Sequence, residues 1–220
     1  MERLPLAIAR FKTKTPVLEG GSELRGFIAN MKRDNPIFHH HLEGGLIYSY
    51  PLVQYKVLDG IAMIWGIAEG AELVKSLVDG IDHLLLGKHI YEILDVDIIE
   101  EQTVICETEQ MIRYRFCTPW LALNQENYLE YKLSQGWLER KRLLNGILVG
   151  NILSMCKGLN TVVRRKLRAR TRLDQVNVTY KGIPHIGFIG EFQVNIMLPA
   201  HAGLGKGASK GFGTISNVEA

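Results

Sequence analysis

An α+β protein built from two tandem sheet-and-helix units is what this sequence predicts, on three observations. Apolar residues alternate with others from Arg3 to Thr13, the period of a half-buried strand. Asp59-Gly60 separates two apolar, β-branched runs, a strong short-range hairpin signal. Between Leu138 and Leu159, Leu143, Leu144, Ile147, Leu148, Ile152 and Met155 recur at helical spacing.

The elements follow in order. Leu4, Leu6, Ile8 and Phe11 mark a first strand over Arg3–Thr13. Ser22 caps a short helix over Glu23–Arg33, with Leu24, Phe27, Ile28 and Met31 on one face. Asp34-Asn35-Pro36 stops it. Ile47–Val57 and Ile61–Ile67 read as the two arms of the hairpin. Glu69–Val78 is a second helix with Leu73, Val74 and Leu77 turned inward. His89–Cys106, rich in Ile and Val, is a strand broken near Glu100-Glu101. The order β-α-β-β-α-β is the ferredoxin-like motif. The second half repeats it loosely with longer parts: a strand over Met111–Leu123, a short helix capped by Asn124, the long helix, and strands over Arg164–Tyr180 and Ile186–Leu198. The boundary falls near residues 106–110, giving a domain of 1–108 and a domain of 109–220. Two such sheets side by side would leave a central cleft, a natural groove for a polymer.

Hydrophobic residues at 46% and charged residues at 22% describe an ordinary globular chain. Three scattered cysteines, Cys106, Cys117 and Cys156, with no Cys-x-x-Cys pair, suggest neither a disulfide framework nor a zinc site and fit a reducing cytoplasm. The N-terminus lacks a signal-peptide pattern. No apolar run reaches the roughly 18 residues of a membrane span, so no membrane partner is expected. A net charge of +3 is mildly basic; its distribution says more.

Two segments concentrate that charge. Near the C-terminus, Gly203-Leu204-Gly205 and Gly211-Phe212-Gly213 bracket Lys206-Gly207-Ala208-Ser209-Lys210. Glycines permit positive φ and close backbone approach, and successive exposed N–H groups in such a turn can cradle an anion. Lys206 and Lys210 add charge for phosphate, while Leu204 and Phe212 read as apolar anchors that a flexible tail would not need. The spacing is neither that of a P-loop nor that of a dinucleotide fingerprint. Between Arg164 and Arg172, six of nine residues are basic and none is acidic. Arg168, Arg170 and Arg172 alternate, so a strand would carry them on one face with successive Cα atoms about 6.6 Å apart. That makes a backbone-binding stripe, giving affinity and salt dependence without sequence choice; the alternative is a solubilising edge.

A third cluster carries chemistry. Phe38-His39-His40-His41 precedes a strand with Tyr48 and Tyr50. In an extended segment His39 and His41 share a face, and His40 does not. Imidazoles suit proton transfer at neutral pH. Metal-free RNA cleavage needs a base for the 2′-hydroxyl, an acid for the departing 5′-oxygen and donors for the charged phosphorane; two histidines and a tyrosine meet that need. The competing readings are a His-x-His metal pair with Glu43 nearby, and core aromatics at Tyr48 and Tyr50. His83, His89, His185 and His201 are isolated, with His201 adjoining the glycine loop.

Together these residues resemble the CRISPR-associated endoribonucleases of the RAMP superfamily, which cut precursor CRISPR RNA within each repeat and are built from paired ferredoxin-like domains. The resemblance runs from about Leu24 to Gly213. It rests on the glycine-rich signature, on Phe38-His39-His40-His41, on Tyr48-Ser49-Tyr50-Pro51-Leu52-Val53-Gln54-Tyr55-Lys56, on Trp120–Tyr128 and on Gly150–Leu159. It implies His39 and His41 as catalytic histidines, Tyr48 as the assisting tyrosine, and cleavage without metal or other cofactor to a 2′,3′-cyclic phosphate and a 5′-hydroxyl. Lys56, Arg168, Arg170, Arg172, Gly203, Gly205, Lys206, Lys210, Gly211 and Gly213 are the expected RNA contacts. Two departures stand out. His40 occupies a place where relatives usually have a small polar residue, and Ile47 one where a basic residue is common. The expected partner is CRISPR repeat RNA. Assembly into a CRISPR effector complex and a homodimer through apolar helix faces are further options, as are a non-catalytic RNA-binding subunit and a metal-dependent phosphoesterase.

Overall fold

The computed structural model describes residues 3–32 and 50–218. They fall into two compact units, residues 3–32 and 50–103 with Ser209–Gly211, and Val104–Ala208 with residues 212–218.

The first unit is a five-stranded sheet in the order β2-β3-β1-β5-β4, with two helices. β1 spans Arg3–Thr13 and pairs antiparallel with β3, Ile61–Ile67, so that Ile8 faces Trp65 and Phe11 faces Ala62. β2, Val53–Leu58, pairs with β3 across a two-residue turn that sets Leu58 opposite Ile61. Asp59 and Gly60 both take positive φ, 50° and 77°, as a turn matched to the right-handed strand twist requires. Helix α1 runs Gly21–Met31 and starts earlier than Ser22 suggests. Gly20 precedes it, and the Gly20 N–H donates to the Glu23 carboxylate at 3.2 Å, as the acidic half of a capping box does. Helix α2, Glu69–Val78, lies where its periodicity places it and buries Val74 and Leu77.

Two features of this sheet were not expected. β4, His83–Leu86, is a four-residue edge strand joined by a tight turn to β5. β5 runs unbroken from His89 to Val104. Glu100 and Glu101 do not interrupt it because both are exposed; Glu100 meets Lys75 at 2.9 Å. The core gathers Ala9, Phe11, Leu24, Ile28, Ile64, Val74, Leu84 and Tyr91.

The second unit is a four-stranded sheet in the order β7-β8-β6-β9. Its strands are β6, Cys106–Trp120, β7, Ala169–Tyr180, β8, Ile183–Met197, and β9, Ile215–Asn217. Both sheets therefore set their first strand between their third and their last, the ferredoxin-like arrangement. The helices differ. Where one helix would follow the first strand there are two, α3 over Gln125–Leu133 and α4 over Trp137–Gly158. Between β8 and β9 the glycine-rich segment, with only a single 3-10 turn at Ala208–Lys210, takes the place of the second helix. Asn124 caps α3 as its sequence implies, its Oδ1 accepting from the Asn127 N–H at 2.8 Å. Asn145 on α4 accepts from both the N–H and the Oγ1 hydroxyl of Thr171 at 2.9 and 2.8 Å, pinning the helix to β7. Rings of Tyr114, Phe116, Trp120 and Phe192 pack against one another through the core at 4.9 to 5.4 Å. Among the described residues no helix is long and apolar enough to cross a membrane.

Candidate nucleic-acid interface

The sheet of the second unit carries its charge on the face opposite the packed helix. Antiparallel partners on adjacent strands present their side chains to the same face. Thr171 is buried against α4, so its neighbours Arg170 and Arg172 turn the other way, and both are exposed. Across β8 they face Gln193 and Glu191. Across the next ladder Gln193 faces Arg113 and Glu191 faces Arg115. Ser216 on β9 continues the second row. The result is two rows, Arg170–Gln193–Arg113 and Arg172–Glu191–Arg115–Ser216, with four arginines against a single carboxylate. Glu191 accepts from Nε and Nη2 of Arg113 at 2.9 and 2.5 Å, and Arg115 Nε donates to Ser216 Oγ at 3.0 Å. These contacts hold Arg113 and Arg115 and leave the two rows with a net positive charge. Planar guanidiniums take phosphate oxygens two at a time, so such a face suits a polyanion.

Arg113 and Arg115 escaped the sequence reading, although Arg113-Tyr114-Arg115 alternates around Tyr114, which is fully buried. Conversely, the expected three-arginine stripe loses a member. β7 begins at Ala169, so Arg168 stands before the strand, exposed, with its own N–H donated to Asn195 Oδ1 at 2.6 Å. The reason lies far away in the chain. The Glu107 carboxylate accepts from the backbone N–H groups of Arg165 and Arg164, which ties those two residues to the start of β6, while the Asn195 carboxamide on β8 takes the Arg168 N–H and the Lys166 carbonyl in place of a backbone ladder. The Arg165 N–H, then the Arg164 N–H, hold the Glu107 carboxyl below its usual range.

The glycine-rich loop is a folded plug. Leu204 is fully buried and Phe212 is half-buried, as anchors should be. The Leu204 N–H donates to the Gly213 carbonyl and the Gly213 N–H to the Pro119 carbonyl, each at 2.9 Å, and the Phe212 N–H donates to the Gly207 carbonyl at 3.3 Å. These donors are spent inside the protein, so the expected cradle of outward N–H groups is corrected at these three positions. Gly203, Gly211 and Gly213 are buried and Gly205 is half-buried. Packing dictates two of them. Gly213 has φ +62° and a Cβ there would lie 2.2 Å from the Leu204 carbonyl oxygen; Gly205 has φ +78° and its Cβ would lie 2.6 Å from Asn151 Oδ1. That oxygen accepts from the buried indole of Trp120 at 3.0 Å.

The lysines of the expected interface divide. Lys206 is exposed and Lys210 is half-buried. Lys206 Nζ lies 5.2 Å from the Tyr180 ring centroid and 3.0 Å from His185 Nε2. Lys56 is a correction: it is fully buried, donates to Gln54 Oε1 at 2.7 Å and lies 5.7 Å from the Trp65 ring, so it is not a surface contact for RNA. Its strand alternates correctly, but the face bearing Gln54 and Lys56 is also covered. His39, His41 and Tyr48, together with His40, lie outside the described residues.

Comparison with known proteins follows the same division of the chain. A family model described as the Cas6b N-terminal domain matches residues 2–104, and one described as the Cas6b C-terminal domain matches residues 106–218. A crystal structure of Cas6b superposes with a TM-score of 0.90 at 32% identity, covering 99% of this chain and 100% of that one. The crystal structure of a CRISPR RNA processing endoribonuclease Cas6b gives 0.75 at 30% identity, covering 98% and 100%. A Cas6-related protein from Pyrococcus furiosus shares the fold, with a TM-score of 0.59 at 13% identity and 99% of each chain covered. An uncharacterized protein of Methanocaldococcus jannaschii is 50% identical over 113 residues, which are 50% of this chain and 76% of that one.

Proposed function

Because the chain belongs to the Cas6b family, we propose that it is an endoribonuclease that cuts precursor CRISPR RNA within its repeats, by attack of a ribose 2′-hydroxyl on the adjacent phosphorus. A general base takes the 2′-hydroxyl proton as the O–P bond forms. The P–O5′ bond breaks, and a general acid protonates the departing 5′-oxygen. The products are a 2′,3′-cyclic phosphate and a 5′-hydroxyl, and no metal takes part. His39 and His41 divide the two proton transfers, and Tyr48 orients the ribose or donates to the phosphorane. Positioned acid–base groups of this kind supply about 10²–10⁴-fold.

In this reading the domain of residues 1–108 carries the chemistry and the domain of 109–220 holds the repeat. The observation that carries the second role is the arginine face formed by Arg113, Arg115, Arg170 and Arg172, with Arg168 beside it and Lys206 and Lys210 on the loop as further phosphate contacts. Lys56, buried beside Gln54, is assigned no such contact.

Single-turnover cleavage of a labelled repeat RNA tests the reading. His41→Ala is expected to slow cleavage by at least about 10²-fold while leaving repeat binding near that of the wild type. Wild-type cleavage should persist in EDTA. Tight binding by the wild type with no product would instead identify a non-catalytic subunit, and activity lost in EDTA and restored by zinc or manganese would identify a metal-dependent phosphoesterase.

A further inference from the structure

On the helix side of the second unit, away from the arginine face, a groove of about 770 Å³ opens between α3 and the β7–β8 hairpin. That is the size of a small-molecule site. We infer that it is a subsite for an unpaired nucleotide of the RNA, with the base in the groove and its phosphate at Lys206. The inference rests on the RNA-cleaving function proposed above and adds to it a place where single-stranded RNA is held.

The lining chemistry selects the occupant. Lys132 and Lys206 line the groove, and among the described residues no carboxylate does, so its charge favours an anion. Gln175 and Asn177, two residues apart on β7, are exposed along one wall. Carboxamides offer donors and acceptors together, which is what a base edge requires. Tyr128 on α3 supplies a flat surface: the residue remains 42% exposed, although a ring of that size ordinarily finds cover. Lys132 Nζ lies 5.7 Å from its centroid. Aromatic rings of this kind serve as stacking platforms for unpaired bases.

The cation at the mouth of the groove is fixed in advance. His185 Nδ1 lies 2.9 Å from the Ile183 carbonyl. A carbonyl only accepts, so Nδ1 carries the proton and Nε2 is left as the acceptor for Lys206 Nζ, at 3.0 Å. Tyr180 meets the His185 ring edge-on at 5.6 Å and lies under the Lys206 ammonium at 5.2 Å. With one N–H given to His185, the ammonium keeps two for a phosphate oxygen.

The test uses the full-length protein and three fluorescein-labelled probes: oligouridylate and oligoadenylate of about a dozen nucleotides, and a blunt RNA duplex. Binding is read by anisotropy. Tyr128→Ala is expected to weaken both single-stranded probes about tenfold and to leave the duplex within about twofold. Asn177→Ala should change the ratio between the two homopolymers. Arg170→Gln with Arg172→Gln, on the other face, should weaken the duplex as well. Tyr128 is exposed, and an unchanged circular dichroism spectrum would confirm that its variant folds. Tyr128→Ala binding every probe like the wild type, or losing duplex and single strands equally, overturns the subsite. So does a change in sedimentation with RNA binding intact, which would give the groove to a protein partner. A wild type that binds the duplex but neither homopolymer refutes the subsite alone; one that binds neither these probes nor a labelled repeat RNA refutes the proposed function with it.

Discussion

Replacing Arg170 and Arg172 together by glutamine removes two charges from the arginine face and keeps polar side chains of similar reach. Each phosphate neutralised by a protein cation contributes about 0.7 to 0.9 to the slope of log K against log salt, the lower figure applying to single strands. Two lost contacts should therefore flatten the slope by about 1.4 to 1.8. Over a fourfold rise in salt, from about 50 to 200 mM, the ratio of wild-type to variant affinity should then shrink roughly tenfold. The two positions are not equivalent. Arg172 faces Glu191 across the ladder, whereas Arg170 faces the uncharged Gln193, so Arg170→Gln alone should flatten the slope more than Arg172→Gln alone. Glu191→Gln, by freeing Arg113 from its ion pair, should steepen it. Filter binding or anisotropy with a repeat RNA carrying 2′-deoxyribose at the cleavage position, so that it stays intact, measures all of these. Parallel lines, with affinity lowered by the same factor at every salt concentration, would refute the reasoning, because they would mean that the arginines support the fold and do not meet phosphate.

Two further outcomes follow from the interior of the same unit. Asn151→Ala leaves the buried Trp120 indole N–H without its acceptor, which costs about 1–3 kcal/mol; the melting temperature should fall by about 2–4 °C per kcal/mol for a chain of this size, and an unchanged melt would contradict it. Burial pushes the Tyr114 phenol up to about 12, so the fold favours the neutral form. The stabilisation is complete below the unfolded value of about 10 and is lost as the pH rises through the folded one. Tyr114→Phe, which also removes the hydroxyl held by the Leu198 N–H at 2.9 Å, should lower stability at neutral pH and make its decline between about pH 10 and 12 shallower. Urea unfolding across that range, with tyrosinate absorbance, reads both effects; an equally steep decline in the variant would exclude Tyr114 as a source.

What the sequence revealed is what local chemistry controls. Arg3–Thr13 alternates, Asp59-Gly60 admits little but a tight hairpin, and the apolar spacing of Glu69–Val78 fits a helix, so each of these elements stands where it was expected. The discrepancies trace to partners distant in sequence or to signals too short to register. Four residues, His83–Leu86, give no usable period. The stretch before β7 is held by side chains distant in sequence: the Glu107 carboxylate takes up the Arg164 and Arg165 amides, and Asn195 on β8 takes up the Arg168 amide. Alternation on β2 correctly separated Gln54 and Lys56 from Tyr55, but no pattern in the strand says that the Gln54–Lys56 face is covered too. The basic run yielded Arg170 and Arg172 because it is dense. Arg113 and Arg115 are two isolated charges on another strand, and only the ladder through β8 makes them neighbours.

The internal rungs of the glycine-rich loop change how its genetics should be interpreted. Cutting out the segment from Gly203 to Gly213, or stiffening it with alanines, would strip the cover from Trp120 and remove the Leu204–Gly213 rung that leads into β9. Such a lesion reports whether the C-terminal half matures at all, and a nuclease dead for that reason says nothing about what the loop grips. Only a change confined to the outward side chain of Lys206 separates ligand capture from assembly.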